Sequence, residues 1–102
     1  MPSKTFFVYI LTNRSGTLYI GVTSNLPRRL FQHRSGIFQG FSASYKIIRL
    51  IYFECFGDSR LAIAREKELK GWLRGKKIAL IRKSNPRFED LSGTLGIGKG
   101  PE

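Results

Sequence analysis

Two short segments near the N-terminus of the chain consist mostly of hydrophobic residues. Residues 6–11 and 17–22 are rich in β-branched and aromatic side chains, which favour strands. Residues 13–16 between them include asparagine, serine and glycine, which are typical of a turn. This pattern predicts a β-hairpin at the start of the fold.

The predicted hairpin has two chemically different faces. We expect Thr12 to lie opposite Gly16 and Tyr9 to lie opposite Tyr19. Because side chains alternate along a strand, one face is then wholly apolar and should pack on the core. That face consists of Phe6, Val8, Ile10, Leu18, Ile20 and Val22. The other face, where we expect a polar ligand, consists of Phe7, Tyr9, Leu11, Thr17, Tyr19 and Gly21.

A helix containing arginines is predicted directly after the hairpin. Ser24 or Asn25 can cap its N-terminus through a side-chain oxygen, and we expect the helix to end near Arg34. Leu26 and Leu30 lie one helical turn apart, so both should face the core.

The most continuous apolar segment, residues 47–53, is predicted to be the central strand of the sheet. Strands that are hydrophobic on both faces are usually covered on both sides. Residues 36–46 before it form a predicted loop, suited to the rim of a cleft. Strands followed by helices predict an α+β fold, with a small three-stranded antiparallel sheet flanked by about three helices.

A second helix is predicted from Asp58 or Ser59 to about Leu73. Its apolar stripe consists of Ala62, Leu69 and Leu73. Glu66 lies at the border of this stripe, whereas Glu68 points to the opposite side of the helix. The helical phase therefore selects Glu66 as the carboxylate nearest the core.

The C-terminal part of the chain is divided by glycine and proline. Gly75 should separate the second helix from a third over residues 76–83, which Asn85 and Pro86 end. We expect one domain over residues 1–90. The glycine-rich residues 91–102 are predicted to be a disordered tail.

The charge of the chain indicates the class of its partner. Eighteen lysine and arginine residues against seven acidic residues give a net charge of +11. This excess favours a polyanion, with nucleic acid ahead of anionic lipid or a protein, because phosphate binding releases counterions. The alternative is that the surplus lysine residues only keep the protein surface soluble. The candidate nucleic-acid contacts are Arg28, Arg29, Arg34, Lys46, Lys70, Lys76 and Lys77.

Several classes of protein are excluded by what the sequence lacks. Cys55 is the single cysteine and His33 the single histidine, which excludes an internal disulfide and a zinc site built from both residue types. No segment is long and apolar enough to span a membrane, and the N-terminus lacks a signal-peptide core. We therefore expect a soluble cytoplasmic protein without a membrane partner.

Two tyrosine motifs in the hairpin resemble a known signature. Val8-Tyr9 and Tyr19-Ile20-Gly21, about ten residues apart, resemble the two halves of the GIY-YIG nuclease signature. The first half departs from the signature, because Phe7 precedes Val8 and the leading glycine is missing. The resemblance extends over roughly residues 5–90 and is closest to the small, stand-alone GIY-YIG proteins of bacteria.

The other residues of the family pattern follow in order. Arg29 occupies the position of its arginine, and His33 lies one helical turn later. Glu66 and Asn85 are the candidates for its glutamate and its late asparagine. Gly21 would let a ligand approach the backbone closely, and Asn85 would brace the fold.

The resemblance implies a metal-dependent endonuclease that hydrolyses DNA phosphodiester bonds, in repair or processing of DNA. It implies one Mg²⁺ or Mn²⁺ ion, with Glu66 as its protein ligand; Mg²⁺ keeps most of its waters, so one carboxylate is sufficient. Arg29 would bind phosphate, and Tyr9 or Tyr19 would orient or deprotonate the attacking water. A nucleic-acid-binding module of the same fold without nuclease activity is the alternative.

Each site residue also has an ordinary structural interpretation. Glu66 and Lys70 have the spacing of a surface ion pair on one helix, which contributes only about 0.3–0.5 kcal/mol. Arg29 can be a solvated arginine like its neighbour Arg28. His33 can shuttle a proton or contact phosphate, but a lone histidine often only packs.

Overall fold

The structure is a computed structural model that describes residues 4–35 and 48–95. Within these ranges the chain forms an antiparallel sheet with helices on both faces, which confirms the predicted α+β class. The elements are β1 (Phe6–Thr12), β2 (Leu18–Thr23), α1 (Leu26–Arg34), β3 (Arg49–Phe56), α2 (Ser59–Lys70), α3 (Arg74–Ser84) and a 3-10 helix (Leu91–Leu95). The predicted loop over residues 36–46, with Lys46, lies outside the described residues.

The strand order is β2-β1-β3, so β1 is the central strand. The prediction that the third strand is central was wrong. Consecutive residues of β3 pack into different clusters, with Leu50 on one face of the sheet and Ile51 on the other. The apolar run therefore reflects a strand covered on both faces rather than one with neighbours on both edges.

The hairpin register differs from the prediction by two residues. Tyr9 pairs with Gly21 and Leu11 pairs with Tyr19, because the connection between the strands is longer than expected. Asn13 shapes this connection: its Oδ1 accepts a hydrogen bond from the Thr17 amide at 3.1 Å. A shift of two residues keeps every side chain on its predicted face, since the side-chain period of a strand is two.

Two hydrophobic clusters cover the two faces of the sheet. One, packed by α2 and α3, contains Val8, Ile10, Ile20, Ile51, Ala62, Leu69 and Ile81. The other, packed by α1, contains Tyr9, Leu11, Leu26, Leu30, Ile48 and Leu50. The hairpin face expected to receive a polar ligand is thus largely a second core face, built around Tyr9 and Leu11.

The first helix agrees with its prediction. The Asn25 side chain caps α1 by accepting a hydrogen bond from the Arg28 amide at 3.1 Å. Leu26 and Leu30 are each only 1% exposed, so the helix packs through the predicted positions. Of the two arginines between these leucines, Arg28 is exposed, whereas Arg29 is partly buried.

The boundary between the second and third helices lies earlier than predicted. Helix α2 ends at Lys70, where Gly71 caps it by donating to the carbonyls of Lys67 and Glu68. Gly75 lies in the first turn of α3 and therefore belongs to that helix instead of separating it from α2. Leu73, predicted to belong to the apolar stripe, instead lies between the helices and is 83% exposed.

Arg34 joins the end of α1 to the start of β3 and to the 3-10 helix. Its guanidinium donates to the Ile48 carbonyl at 2.7 Å, to Asp90 Oδ2 at 2.8 Å and to Ser92 Oγ at 3.1 Å. Residues 91–95 of the predicted tail are therefore helical and held against the domain, whereas residues 96–102 lie outside the described residues. None of the helices in the described ranges is long and apolar enough to cross a membrane.

Candidate active site

Tyr9 is the buried centre of the candidate site. It extends from the central strand and is fully buried, and its ring passes directly over Gly21 on the neighbouring strand β2. A Cβ atom at position 21 would lie only 2.6 Å from Tyr9 Cζ. Glycine is needed here to make room for the phenol, which differs from the expected role of admitting a ligand to the backbone.

Two further rings pack around the Tyr9 phenol. The Tyr9 hydroxyl lies 3.3 Å from His33 Nε2, within hydrogen-bond distance. The Tyr19 ring meets the His33 ring edge to face, with centroids 4.7 Å apart, and lies 6.3 Å from the Tyr9 ring. The structure therefore brings together the two tyrosines of the hairpin and the histidine of α1, from three separate elements.

The charged residues of the family pattern act on the Tyr9 hydroxyl. Burial raises the pKa of Tyr9 well above its ordinary value, and the neighbouring Tyr19 raises it further. Arg29 lowers this pKa through its charge and a hydrogen bond, while the Glu66 carboxylate raises it. Arg29 and Glu66 are thus both close enough to influence one hydroxyl group, although they come from α1 and α2.

Glu66 is largely buried and also forms an ion pair. Its side chain is 14% exposed, and its carboxylate lies 2.9 Å from Lys70 Nζ. The predicted ion pair is thus present, and the carboxylate lies at the border of the core, as the helical phase predicted. Lys70 is 55% exposed, so this partner extends from the solvent side of the carboxylate.

His33 is fully buried and uncharged at neutral pH. Burial lowers its pKa to about 4, and the positive charge of Arg29 acts in the same direction. A neutral imidazole can accept a hydrogen bond or a proton from Tyr9, which an imidazolium cannot.

The low pKa of His33 predicts that the protein loses stability as the pH is lowered from 6.5 to 4.5. In this range the unfolded chain binds a proton at histidine, whose ordinary pKa is 6.5, whereas the folded protein does not. The free energy of unfolding should therefore decrease as the pH is lowered through this range, by on the order of 2 kcal/mol. Urea denaturation at several pH values would measure it.

A His33→Gln variant is the control for this pH dependence. Since His33 is the single histidine, the variant should show an almost flat free energy of unfolding between pH 6.5 and about 5.5, whatever its absolute stability. Below that range Glu54, Asp58 and Asp90, whose pKa values are lowered in the folded protein, add a pH dependence that both proteins share. Parallel slopes for the two proteins would contradict the assignment.

The predicted nucleic-acid contacts differ in their surroundings. The Arg34 guanidinium is held inside the domain, as described above. Lys76 Nζ lies 4.1 Å from the centre of the Trp72 ring, in a cation–π contact, yet remains exposed. Arg28 is exposed on α1, and Lys77 is half-buried on α3.

Asn85 lies away from the tyrosines and holds the end of α3 against the sheet. It is 4% exposed, and its Nδ2 donates to the carbonyls of Ile51 at 3.0 Å and Glu89 at 2.8 Å. Its Oδ1 accepts from the Glu89 amide at 2.9 Å. These contacts correspond to the bracing role expected for this residue.

The donor set around Tyr9 fits a hydrated hard cation. Among the described residues there is no group of three or more histidine, cysteine or acidic side chains that would hold a metal tightly. Glu66 supplies one partly accessible carboxylate beside the phenols. Such a site suits Mg²⁺ or Mn²⁺, which keep several waters and take further oxygen ligands from a substrate.

An open pocket lies beside Arg29 and was not predicted from the sequence. It has a volume of about 420 Å³ and is lined by Thr23, Ser24, Asn25, Arg28, Arg29 and Gln32. The spacing of Arg28 and Gln32, four residues apart on one helix, was the available indication, because such residues share a face.

Comparisons with known proteins identify relatives over almost the whole length of the chain. Residues 5–79 match the GIY-YIG catalytic domain family. A UPF0213 protein of Bacillus pumilus (strain SAFR-032) is 35% identical over 77 residues, covering 76% of this chain and 79% of that protein. A UPF0213 protein of Clostridium perfringens (strain 13 / Type A) is 33% identical over 91 residues, covering 89% and 98%.

The fold is shared with a solved relative. The solution NMR structure of a UPF0213 protein from Bacillus halodurans aligns with a TM-score of 0.58 and 28% identity, covering 92% of this chain and 99% of that one. This chain spans nearly all of the Clostridium and Bacillus halodurans proteins, which are thus small like it. The match over residues 5–79 and these relatives together show that the chain belongs to the GIY-YIG family, in its group of small single-domain UPF0213 proteins.

Proposed function

We propose that this protein is a metal-dependent endonuclease that hydrolyses phosphodiester bonds in DNA. Membership of the GIY-YIG family implies a nuclease fold and a nucleic-acid substrate. The observation that supports catalysis in this chain is the convergence of Arg29, Glu66 and His33 on the hydroxyl of the buried Tyr9. A solely structural tyrosine would not need an arginine and an imidazole at its hydroxyl and a carboxylate within electrostatic range of it.

Each residue has a distinct role in the proposed reaction. Arg29 binds a non-bridging phosphate oxygen, because its planar guanidinium matches the shape and charge of phosphate. Glu66 would hold Mg²⁺ or Mn²⁺, and the bound ion would supply Lewis-acid stabilisation of the negative charge that develops on phosphate. The proposed site would thus combine charge relief from the Arg29 guanidinium with that from a cation held by Glu66.

Tyr9 keeps its proton in the free protein, because its pKa is raised by burial. It therefore acts first as a hydrogen-bonding group that orients the attacking water, with the neutral His33 as its partner. Tyr19 is half-buried and packs against the same imidazole, so its hydroxyl belongs to the same cluster. Proximity of these groups to the water would supply orientation rather than a strong base.

The surroundings of the site favour a large polyanionic substrate. The net charge of +11 exceeds what solubility requires, and α3 contains no acidic residue. We infer binding to DNA through its phosphates, with weak sequence specificity from so small a domain. We also infer a cytoplasmic location, in keeping with the single thiol, and a task in DNA repair or processing.

Cleavage of plasmid DNA by the purified protein tests the proposal. Nicked or linear products should accumulate with Mg²⁺ or Mn²⁺ and should stop when EDTA is added. The same incubation with a Tyr9→Phe variant, which keeps the ring that fills the core, separates the enzyme from contaminating nucleases. DNA binding without any cleavage in either metal would favour the alternative function, a binding module of the same fold.

A further inference from the structure

The pocket at the start of α1 adjoins the proposed catalytic site without being part of it. Arg29 lines one side of it, while the rest of its wall is formed by residues that the proposed chemistry does not use. Its volume of about 420 Å³ lies within the range of small-molecule sites, which is large enough for one nucleotide unit. A strand whose phosphate reached Arg29 would therefore pass this pocket.

The lining of the pocket is polar and positively charged. It includes two guanidinium groups, two side-chain amides and two hydroxyl groups, and no carboxylate. Phosphate is attracted by the guanidinium groups, and amides such as glutamine can donate to and accept from the edge of a base. This composition matches a nucleotide unit better than it matches an apolar ligand or a cation.

Two of the lining side chains have no other evident task. Within residues 4–35 and 48–95, no hydrogen bond or ion pair engages the Arg28 guanidinium or the Gln32 amide. Arg34 on the same helix is the opposite case, because its guanidinium is held by Ile48, Asp90 and Ser92. The side chains of Arg28 and Gln32 are thus available to a ligand, whereas that of Arg34 at the other end of α1 is not.

We propose that this pocket is a nucleotide subsite, in which Arg28 binds the phosphate next to the scissile one and Gln32 contacts the adjoining base. The inference rests on the proposed nuclease function, because it assigns the scissile phosphate to Arg29. The helix fixes the arrangement: Asn25 caps its first turn, and Arg28 and Gln32 lie one turn apart on the same face. The subsite determines where along a strand the enzyme cuts.

Binding measured in EDTA tests the phosphate contact independently of cleavage. Fluorescence anisotropy with a labelled 16-base-pair duplex should show that Arg28→Gln weakens binding about tenfold and lowers the salt slope by about 0.9. Arg60→Gln is the matched control, because it removes the same charge from a side chain that is 89% exposed at the start of α2. Equal losses for both variants would overturn the subsite, since net charge alone would then explain them.

Cleavage of a duplex library with randomised positions tests the base contact. The wild-type protein should show a base preference at one position beside the cut, and Gln32→Ala should remove that preference while cleavage continues. A wild-type profile without preference, or an unchanged profile in the variant, would overturn the role of Gln32. Absence of all cleavage would overturn the proposed nuclease function instead, and the binding comparison of Arg28 with Arg60 would still decide whether the pocket binds phosphate.

Discussion

Replacing Glu66 by glutamine should lower the rate of DNA cleavage on the order of 10³-fold, because several kcal/mol of charge stabilisation depend on its carboxylate. Glutamine has nearly the same shape, so the side chain can occupy the same 14%-exposed position on α2. It cannot supply the negative charge that a divalent cation requires. DNA affinity measured in EDTA should be unchanged or slightly higher, since one negative charge near the phosphate is removed.

Glu68→Gln is the matched control for this experiment. Glu68 lies two residues further along the same helix, is 53% exposed and pairs with Arg65 rather than with the tyrosine cluster. The control makes the same chemical change outside the site, and its cleavage rate should remain within about twofold of wild type, as is usual for an exposed ion pair. Comparable rates for wild type and Glu66→Gln would remove Glu66 from the mechanism and favour the binding module.

The Glu66–Lys70 pair allows the two interpretations of Glu66 to be separated by comparing variants of its two members. If the residue served only the ion pair, Glu66→Gln and Lys70→Met would have the same consequence, a small change in the free energy of unfolding. A functional carboxylate predicts different outcomes: cleavage is lost in the glutamate variant, whereas the lysine variant still cleaves, with a rate reduced at most by the loss of one phosphate contact. The stability change should be small in both, because Lys70 is exposed.

The choice of Glu66 over Glu68 was possible from the sequence because helical phase depends only on spacing. Ala62 and Leu69 are fully buried, as predicted, and they fix which side of α2 faces the sheet. The end of the same helix was not predictable in this way. Leu73 continues the apolar stripe in the sequence, yet the helix ends before it, with Gly71 as its cap. The next residue, Trp72, packs its ring against the side chains of Arg65 and Lys76, a contact that helical spacing does not predict.

The faces of the hairpin were predictable, but its register was not. Alternation assigns side chains to faces whatever the pairing, provided that the shift is even. The observed shift by two residues depends on the length of the turn, which Asn13 sets by its hydrogen bond to Thr17. The predicted register is two residues out, so it pairs Tyr9 with Tyr19. The structure instead pairs Tyr9 with Gly21, and the Tyr9 ring lies over this glycine.

The burial of Tyr9 likewise depends on distant parts of the chain. Helix α1 covers this face of the sheet through Leu26 and Leu30, and β3 contributes Leu50. A local pattern cannot show that a helix will cover a face that also contains two phenols and a glycine. The result is a site in which the hydroxyl of a core residue, rather than that of a surface residue, meets the charged side chains.

Replacing Gly21 by alanine should destabilise the protein by about 1–3 kcal/mol and reduce cleavage, because the new methyl group overlaps the Tyr9 ring. The overlap is with Tyr9 Cζ, at 2.6 Å from the position of the added Cβ atom. Tyr9 is fully buried, so its ring can move away only by displacing the helix or strand packed against it. Urea denaturation at neutral pH measures the change in stability, and the plasmid assay measures the change in rate.

Gly57→Ala is the control, because a Cβ atom at position 57 would meet no atom within 4 Å. It makes the same change in chain flexibility and should leave stability within about 0.5 kcal/mol of wild type. A double variant with Tyr9→Leu, which removes the overlapping ring atoms, should show a smaller effect of Gly21→Ala than the wild-type background does, since contacting residues are not additive. If Gly21→Ala is as mild as Gly57→Ala, the close contact between the Tyr9 phenol and β2 does not exist in solution, and the position of the hydroxyl at the centre of the site would have to be reassigned.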